Sequence, residues 1–157
     1  MKLNKLFIIL TFISTYGCNS IIDSSDNDTL TQKTVFDNGI EYTLTIGKNV
    51  FSITDSLYFN FSVKNVNFVS KTFNFNNYQQ LGFKLTNESN EVFLFYPWVL
   101  SPALSSFILE PKQTKEYLLT RPFKNHLGNY INRGNYTLSV FLLNKNFPEV
   151  TLKLSVL

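Results

Sequence analysis

The chain has 157 residues, with 14 Lys and Arg against 11 Asp and Glu, and it contains 16 Phe, 8 Tyr and only 6 Gly. Lys2 and Lys5 lie in an N-terminal segment that we expect to be removed, which leaves 12 basic and 11 acidic side chains and excludes the charged surface of a nucleic-acid-binding protein. The aromatic content favours a β-rich core, and the length beyond the N-terminal region suits one domain.

The N-terminal segment has the pattern of a secretory signal. "MKLNK" supplies two positive charges, and the apolar run "LFIILTFI" (6–13) is too short for a bilayer core that needs about 20 residues. "STYGC" follows and ends at Cys18, the only cysteine. Its Gly-Cys ending resembles the lipobox of bacterial lipoproteins. That resemblance implies cleavage before Cys18 and acylation of its thiol. An ordinary signal peptide with an incidental cysteine, or a buried core cysteine, are the alternatives.

Residues 18–34 are predicted to be a polar, acidic tether. "NSIIDSSDNDTLTQ" (19–32) is rich in Ser, Asp, Asn and Thr and has three aliphatic residues, which are too few to offset the cost of ordering. The predicted organisation is therefore a signal peptide at 1–17, the tether at 18–34 and a folded domain at 35–157. The expected location is a bacterial cell envelope, with the exported chain attached to a membrane through its lipid.

The folded domain shows the two-residue hydrophobic period of half-buried strands. Alternation is regular in "IEYTLTI" (40–46), "LYFNFSVKN" (57–65) and "EVTLKLSV" (149–156). Shorter strands are predicted in "KTFNF" (71–75), "LGFKL" (81–85), "EVFLFY" (91–96), "SFILE" (106–110), "KEYLLT" (115–120) and "YTLSVFLL" (136–143), separated by polar turn clusters. This spacing predicts an all-β, immunoglobulin-like antiparallel β-sandwich of about seven to nine strands.

The order of these segments over residues 50–143 resembles the BsuPI-type intracellular proteinase inhibitor domain of bacteria. The matching pieces are the strand that ends at Asn65, Gln79-Gln80 before a Phe-containing strand, Trp98, Leu109-Glu110-Pro111, and Gly134-Asn135-Tyr136. The resemblance implies an immunoglobulin-like sandwich and suggests protease inhibition. Lys112 stands where the family pattern favours Gly after Pro111, so we expect a different type of turn there.

The residues that carry catalytic or metal chemistry are too few for an enzyme. His126 is the only histidine, it lies in the loop-like "FKNHLGN", and no acidic residue is close to it in sequence. One histidine and one acylated cysteine do not make a transition-metal site, and the chain has no glycine-rich phosphate loop. We predict a protein without catalytic, cofactor-binding or metal-binding residues, and we expect His126 on a surface loop.

The segment "YPWVLSPALSS" (96–106) contains the only Trp, two prolines and no charge. Its candidate contact residues are Tyr96, Pro97, Trp98, Leu100 and Pro102. One interpretation is a rigid aromatic contact loop, because Trp anchors are common at interfaces. The alternative, which the sequence favours, is a plug in which Trp98 and Leu100 cover one open end of the sandwich.

Three functions remain open from the sequence. The favoured one is a lipid-anchored, non-catalytic module that binds a protein partner, a protease or an envelope protein, through loops or a sheet edge. The second is a proteinase inhibitor that inserts a loop, with residues 97–106 as the candidate, into a protease cleft. The third is a carbohydrate-binding or structural envelope module, which would require exposed aromatic residues on one sheet face.

Overall fold

A computed structural model describes residues 30–157, all of whose regular structure is β. These residues contain no helix of the length and hydropathy needed to cross a membrane. The eleven strands are β1 (Thr31–Asp37), β2 (Ile40–Ile46), β3 (Val50–Phe51), β4 (Ser56–Asn65), β5 (Lys71–Phe75), β6 (Leu81–Asn87), β7 (Val92–Tyr96), β8 (Ser105–Leu109), β9 (Thr114–Pro122), β10 (Gly134–Leu142) and β11 (Glu149–Val156).

The strands form a β-sandwich, as the sequence predicts. One sheet has four strands in the order β1-β2-β4-β9, and the other has five in the order β3-β11-β10-β6-β7. Strands β5 and β8 form a separate two-stranded pair. Neighbouring strands are antiparallel except β3 and β11, which pair in parallel.

The described residues contain two strands more than the upper end of the predicted range. Strand β1 begins at Thr31, four residues before the predicted start of the domain, and pairs along its whole length with β2. Asn38 and Gly39 join the two strands with φ angles of 48° and 74°, the positive signs of the two-residue turn that fits the twist of a hairpin. Strand β3 has only two residues and adds to the edge beside β11.

The core lies between the two large sheets and follows the predicted alternation. The inward positions of β2, β4 and β11 are all buried: Ile40, Tyr42, Leu44 and Ile46; Leu57, Phe59, Phe61 and Val63; Val150, Leu152, Leu154 and Val156. Phenylalanine rings join the layers, with the ring centroids of Phe59 and Phe83 5.4 Å apart in an edge-to-face contact. Burial of each such side chain stabilises the fold by about 1.5–3 kcal/mol.

Two turns fix the ends of strands. The Tyr136 hydroxyl, near the start of β10, donates a 2.6 Å hydrogen bond to the carbonyl of Asn132 four residues upstream, which is the tyrosine corner of immunoglobulin-like sandwiches.

In the turn between β8 and β9, Lys112 has a φ of 67°. The expected change of turn type is therefore wrong, because Lys112 adopts the left-handed conformation that a glycine would favour there. Its ammonium donates to the Val66 carbonyl at 2.7 Å.

The two sides of the sandwich differ. On one side, β1, an edge of the four-stranded sheet, lies against β11, which is the strand next to the edge strand β3 in the five-stranded sheet. On the other side, β7 is the edge of the five-stranded sheet and β9 is the edge of the four-stranded sheet. A cavity lies between these two edge strands, and the residues around it form the candidate site.

Candidate binding groove

The space between β7 and β9 is an open groove of about 690 Å³, here called the aromatic groove. Strand β7, the end of β9 and the loops that follow both strands supply most of its walls. The lining residues are Gln79, Phe83, Leu94, Phe95, Tyr96, Pro97, Trp98, Val99, Arg121, Pro122, Lys124, Asn125, His126 and Gly128.

The floor of the aromatic groove is part of the hydrophobic core. Phe83 is buried, and its ring stacks on that of Tyr96 with the centroids 6.0 Å apart and an interplanar angle of 17°. Leu94 is also buried, on the same strand as Tyr96. Because these rings are fixed by the packing of the two sheets, the apolar floor exists before any ligand arrives.

Trp98 forms one wall. The Tyr96–Pro97 peptide bond is cis, and Trp98 follows it directly after the end of β7. Trp98 keeps 53% of its surface exposed, and its indole meets the imidazole of His126 edge to face, with ring centroids 6.2 Å apart. His126 lies on an exposed loop, as expected. This contact joins the loop after β7 to the loop after β9.

The loop at residues 97–104, here called the Trp98 loop, is held by hydrogen bonds from Gln79 and Tyr78 to the backbone of Val99 and Ser101. The Gln79 amide accepts from the Ser101 backbone N–H at 2.9 Å and donates to the Val99 carbonyl at 3.4 Å. The Tyr78 backbone N–H donates to the Ser101 carbonyl at 3.0 Å. Val99 nevertheless keeps 79% of its surface exposed, so the loop presents an apolar side chain from a fixed backbone.

The groove carries positive charge on the β9 side. The Arg121 guanidinium lies 5.0 Å from the centroid of the Tyr96 ring and donates to the Thr120 carbonyl at 3.0 Å. The Lys124 ammonium lies 4.5 Å from the centroid of the Tyr130 ring. No Asp or Glu is among the described residues that line the groove.

A second cavity of about 350 Å³ continues the groove along β9 and shares Gln79, Tyr96 and Arg121 with it. Its polar wall contains Tyr117, whose hydroxyl donates to the Gln80 carboxamide oxygen at 3.0 Å. Burial raises the pKa of Tyr117 well above its usual value, so this hydroxyl remains a hydrogen-bond donor even in alkaline solution.

The structure brings together only part of the predicted contact set. Tyr96, Pro97 and Trp98 line the groove, whereas Leu100 and Pro102 are exposed on the Trp98 loop outside it. Trp98 and Leu100 each keep about half of their surface exposed, which is more than a core plug would leave.

The cationic side of the groove was not predicted from the sequence. Arg121 and Lys124 lie more than twenty residues from Trp98 and carry no local motif, so the pairing of β9 with β4 is what places them there. The predicted lipid site, Cys18, lies outside the described residues.

Within residues 30–157, no group of three or more His, Cys, Asp and Glu side chains is arranged to hold a metal ion. His126 contacts an indole ring, and no acidic residue within 30–157 lines the groove. The arrangement offers apolar surface, two cations and amide groups, which are means of binding a ligand.

No protein-family model and no curated protein matches the chain. Among solved structures, it is similar to a β-glucosidase from Listeria innocua in complex with glucose, with 12% identity over 82% of this chain and a TM-score of 0.42. The chain spans only 16% of the length of that enzyme.

Two other solved structures are similar at the same low level. An alkylpurine DNA glycosylase from Pseudomonas fluorescens shows 6% identity, with 71% of this chain and 28% of that chain covered and a TM-score of 0.44. A CARDB domain from Pyrococcus furiosus shows 12% identity, with 82% and 89% covered and a TM-score of 0.40. Likenesses of this size carry no argument about function.

Proposed function

We propose that the protein is a non-catalytic binding module that holds a protein partner in the aromatic groove. The observation that carries this proposal is the groove itself: an apolar floor between two sheet-edge strands, with half-exposed Trp98 on its wall. Exposed edge strands accept an extended segment of another chain, and aromatic anchors in preformed pockets supply most of the binding energy at interfaces.

The proposal includes attachment to a membrane by acyl chains on Cys18. Its support is the sequence pattern of a charged start, a short apolar run and Gly17-Cys18. More than one acyl chain is needed for stable anchoring, because each buried methylene contributes about 0.8 kcal/mol. Mass spectrometry of the native protein is expected to show an N-terminal, acylated Cys18. A product that still begins at Met1 with a free thiol would contradict the anchor and the envelope location.

The binding site is tested by photo-crosslinking in cells that make the protein. A benzoylphenylalanine in place of Trp98 is expected to give a discrete higher-mass adduct with one partner. The matched control places the same residue at Tyr58 on β4, which is 49% exposed and lies outside the groove. Adducts of equal yield at both positions, or none at Trp98, would refute binding in the groove.

Protease inhibition is the second candidate, and the geometry of the Trp98 loop favours it specifically. An inhibitory loop must offer an exposed side chain from a backbone that does not relax. Gln79 and Tyr78 hold the carbonyl of exposed Val99 and both backbone groups of Ser101. Titration of the purified protein against secreted serine proteases is expected to give stoichiometric inhibition that Val99→Asp abolishes. Absence of inhibition across a broad panel would remove this candidate.

A further inference from the structure

The charges around the aromatic groove are unbalanced in one direction. Arg121 and Lys124 point to aromatic rings, and neither forms an ion pair with another residue of the described part of the chain. The two ion pairs within residues 30–157, Lys48 with Asp55 and Lys84 with Glu149, lie elsewhere.

The continuing cavity along β9 extends the same imbalance. Its described lining contains Arg121 and no carboxylate, together with the amide and hydroxyl groups of Gln79, Gln80 and Tyr117. Over both cavities, therefore, an incoming carboxylate meets cations and hydrogen-bond donors without repulsion from a fixed negative charge.

The shape of the site suits an extended chain. Strand β7 has five residues and, among the strands of residues 30–157, pairs only with β6. The backbone groups on its other edge therefore take no part in the sheet ladder there. A strand of five residues is about 17 Å long at 3.3 Å per residue. In an extended segment, alternate side chains point to opposite sides. Every second residue can therefore be apolar and contact the floor at Phe83 and the wall at Trp98, with acidic residues in the positions between.

We infer that the partner enters the groove as an extended acidic segment of a protein, about five to six residues long, in which carboxylates alternate with aromatic or aliphatic side chains. The carboxylates pair with Arg121 and Lys124, and the apolar side chains contact Trp98 and the Phe83–Tyr96 stack. This inference rests on the proposed function and adds the chemistry of the bound segment. An unpaired sheet edge favours a peptide over an anionic polysaccharide, because only a peptide satisfies backbone groups along a strand.

Selection from a random nonapeptide display library against the purified full chain tests the inference. Enriched peptides are expected to carry an excess of Asp and Glu over the unselected library, together with Phe, Trp, Leu or Ile. The matched counter-selection uses Trp98→Ala, which removes the apolar wall. Enrichment without any acidic excess would overturn the inference and leave the binding function standing. No enrichment over the Trp98→Ala protein would overturn both.

The best enriched peptide is then used to distinguish the contribution of its carboxylates to affinity from that of its shape. Replacement of its Asp and Glu by Asn and Gln is expected to weaken binding about tenfold, which corresponds to about 1.4 kcal/mol. Binding of the acidic form is also expected to weaken several-fold between 50 and 500 mM NaCl, because salt screens exposed charges. Equal affinity of the two peptides would refute a role for the carboxylates.

Variants of the protein complete the test. The double change Arg121→Gln and Lys124→Gln is expected to weaken the acidic peptide about tenfold and to leave its neutral twin unchanged. Lys33→Gln with Lys153→Gln removes the same charge from β1 and β11, outside the groove, and is expected to change neither peptide. Lys124→Gln alone serves if the double variant does not fold. Saturable binding of an acidic polysaccharide with no peptide binding would refute the inference.

Discussion

Asn65, the last residue of β4, provides a sharp test of how polar groups hold this sandwich together. Its side chain is fully buried. The Nδ2 group donates to the carbonyls of Val69 at 2.8 Å and Leu109 at 3.0 Å, and Oδ1 accepts from the backbone N–H of Asn67 at 3.0 Å. One amide thus joins the end of β4, the loop after it and the end of β8.

Replacement of Asn65 by Ala removes three hydrogen bonds, each worth about 1 kcal/mol net, and takes a partner from the carbonyl of buried Leu109 at a further cost of about 1 kcal/mol. We therefore expect the free energy of unfolding to fall by about 4 kcal/mol, with a decrease in Tm of about 10–15 °C. Urea unfolding of the full chain, followed by far-ultraviolet circular dichroism, measures the change from the shift in midpoint.

Asn60 on the same strand is the matched control. Among the described residues, its Oδ1 is buried without a hydrogen-bond partner, so this amide already carries a desolvation cost. Asn60→Thr is expected to change the free energy of unfolding by less than about 1 kcal/mol, because it removes the unpaired amide oxygen and introduces a β-branched side chain, which suits a strand. Equal losses for the two substitutions, or a loss below about 1 kcal/mol for Asn65→Ala, would refute the argument from hydrogen-bond satisfaction.

Three further changes test other contacts by the same unfolding assay. Tyr136→Phe removes the tyrosine corner and is expected to cost about 1 kcal/mol, and a neutral result would deny it a stabilising role. Gly82→Ala places a Cβ 2.6 Å from the Phe141 ring and is expected to cost about 1–3 kcal/mol, part of which Phe141→Leu should restore. Burial, with a smaller contribution from Asp37, raises the pKa of Tyr42 above its usual value, so the unfolded chain loses this proton first. Stability from Tyr42 is therefore complete below about pH 10 and declines by up to about 1.4 kcal/mol per unit above it, and Tyr42→Phe should reduce that decline.

The local pattern of side chains predicted most of the strands but not their partners. Strands β2, β5 and β11 have the predicted bounds. In a strand with one buried face, apolar and polar residues alternate, and this alternation is visible in the sequence. Strand β1 was missed because Val35 and Phe36 are adjacent and break the alternation. The Asn38-Gly39 dipeptide before β2 was the signal that would have revealed the hairpin.

The site was predicted from one of its walls. A lone Trp between prolines stood out locally, and Tyr96, Pro97 and Trp98 do line the groove. Arg121 and Lys124 lie in an ordinary strand end and loop, and they reach the groove only because β7 and β9 are edge strands of facing sheets. The proximity of these two cations to Trp98 depends on contacts between residues distant in sequence, and a local sequence pattern does not reveal such contacts.

The order of strands also determines where the protein can be attached to a fusion partner or a surface without blocking the aromatic groove. In the four-stranded sheet, β1 lies three strand spacings, about 14 Å, from β9, and in the five-stranded sheet β11 lies equally far from β7. Both ends of the described chain therefore lie on the side of the sandwich opposite to β7 and β9. A fusion, a label or a solid support attached before Thr31 or after Leu157 would leave the side with β7 and β9 accessible. Attachment of the protein and binding in the aromatic groove would then not compete for space.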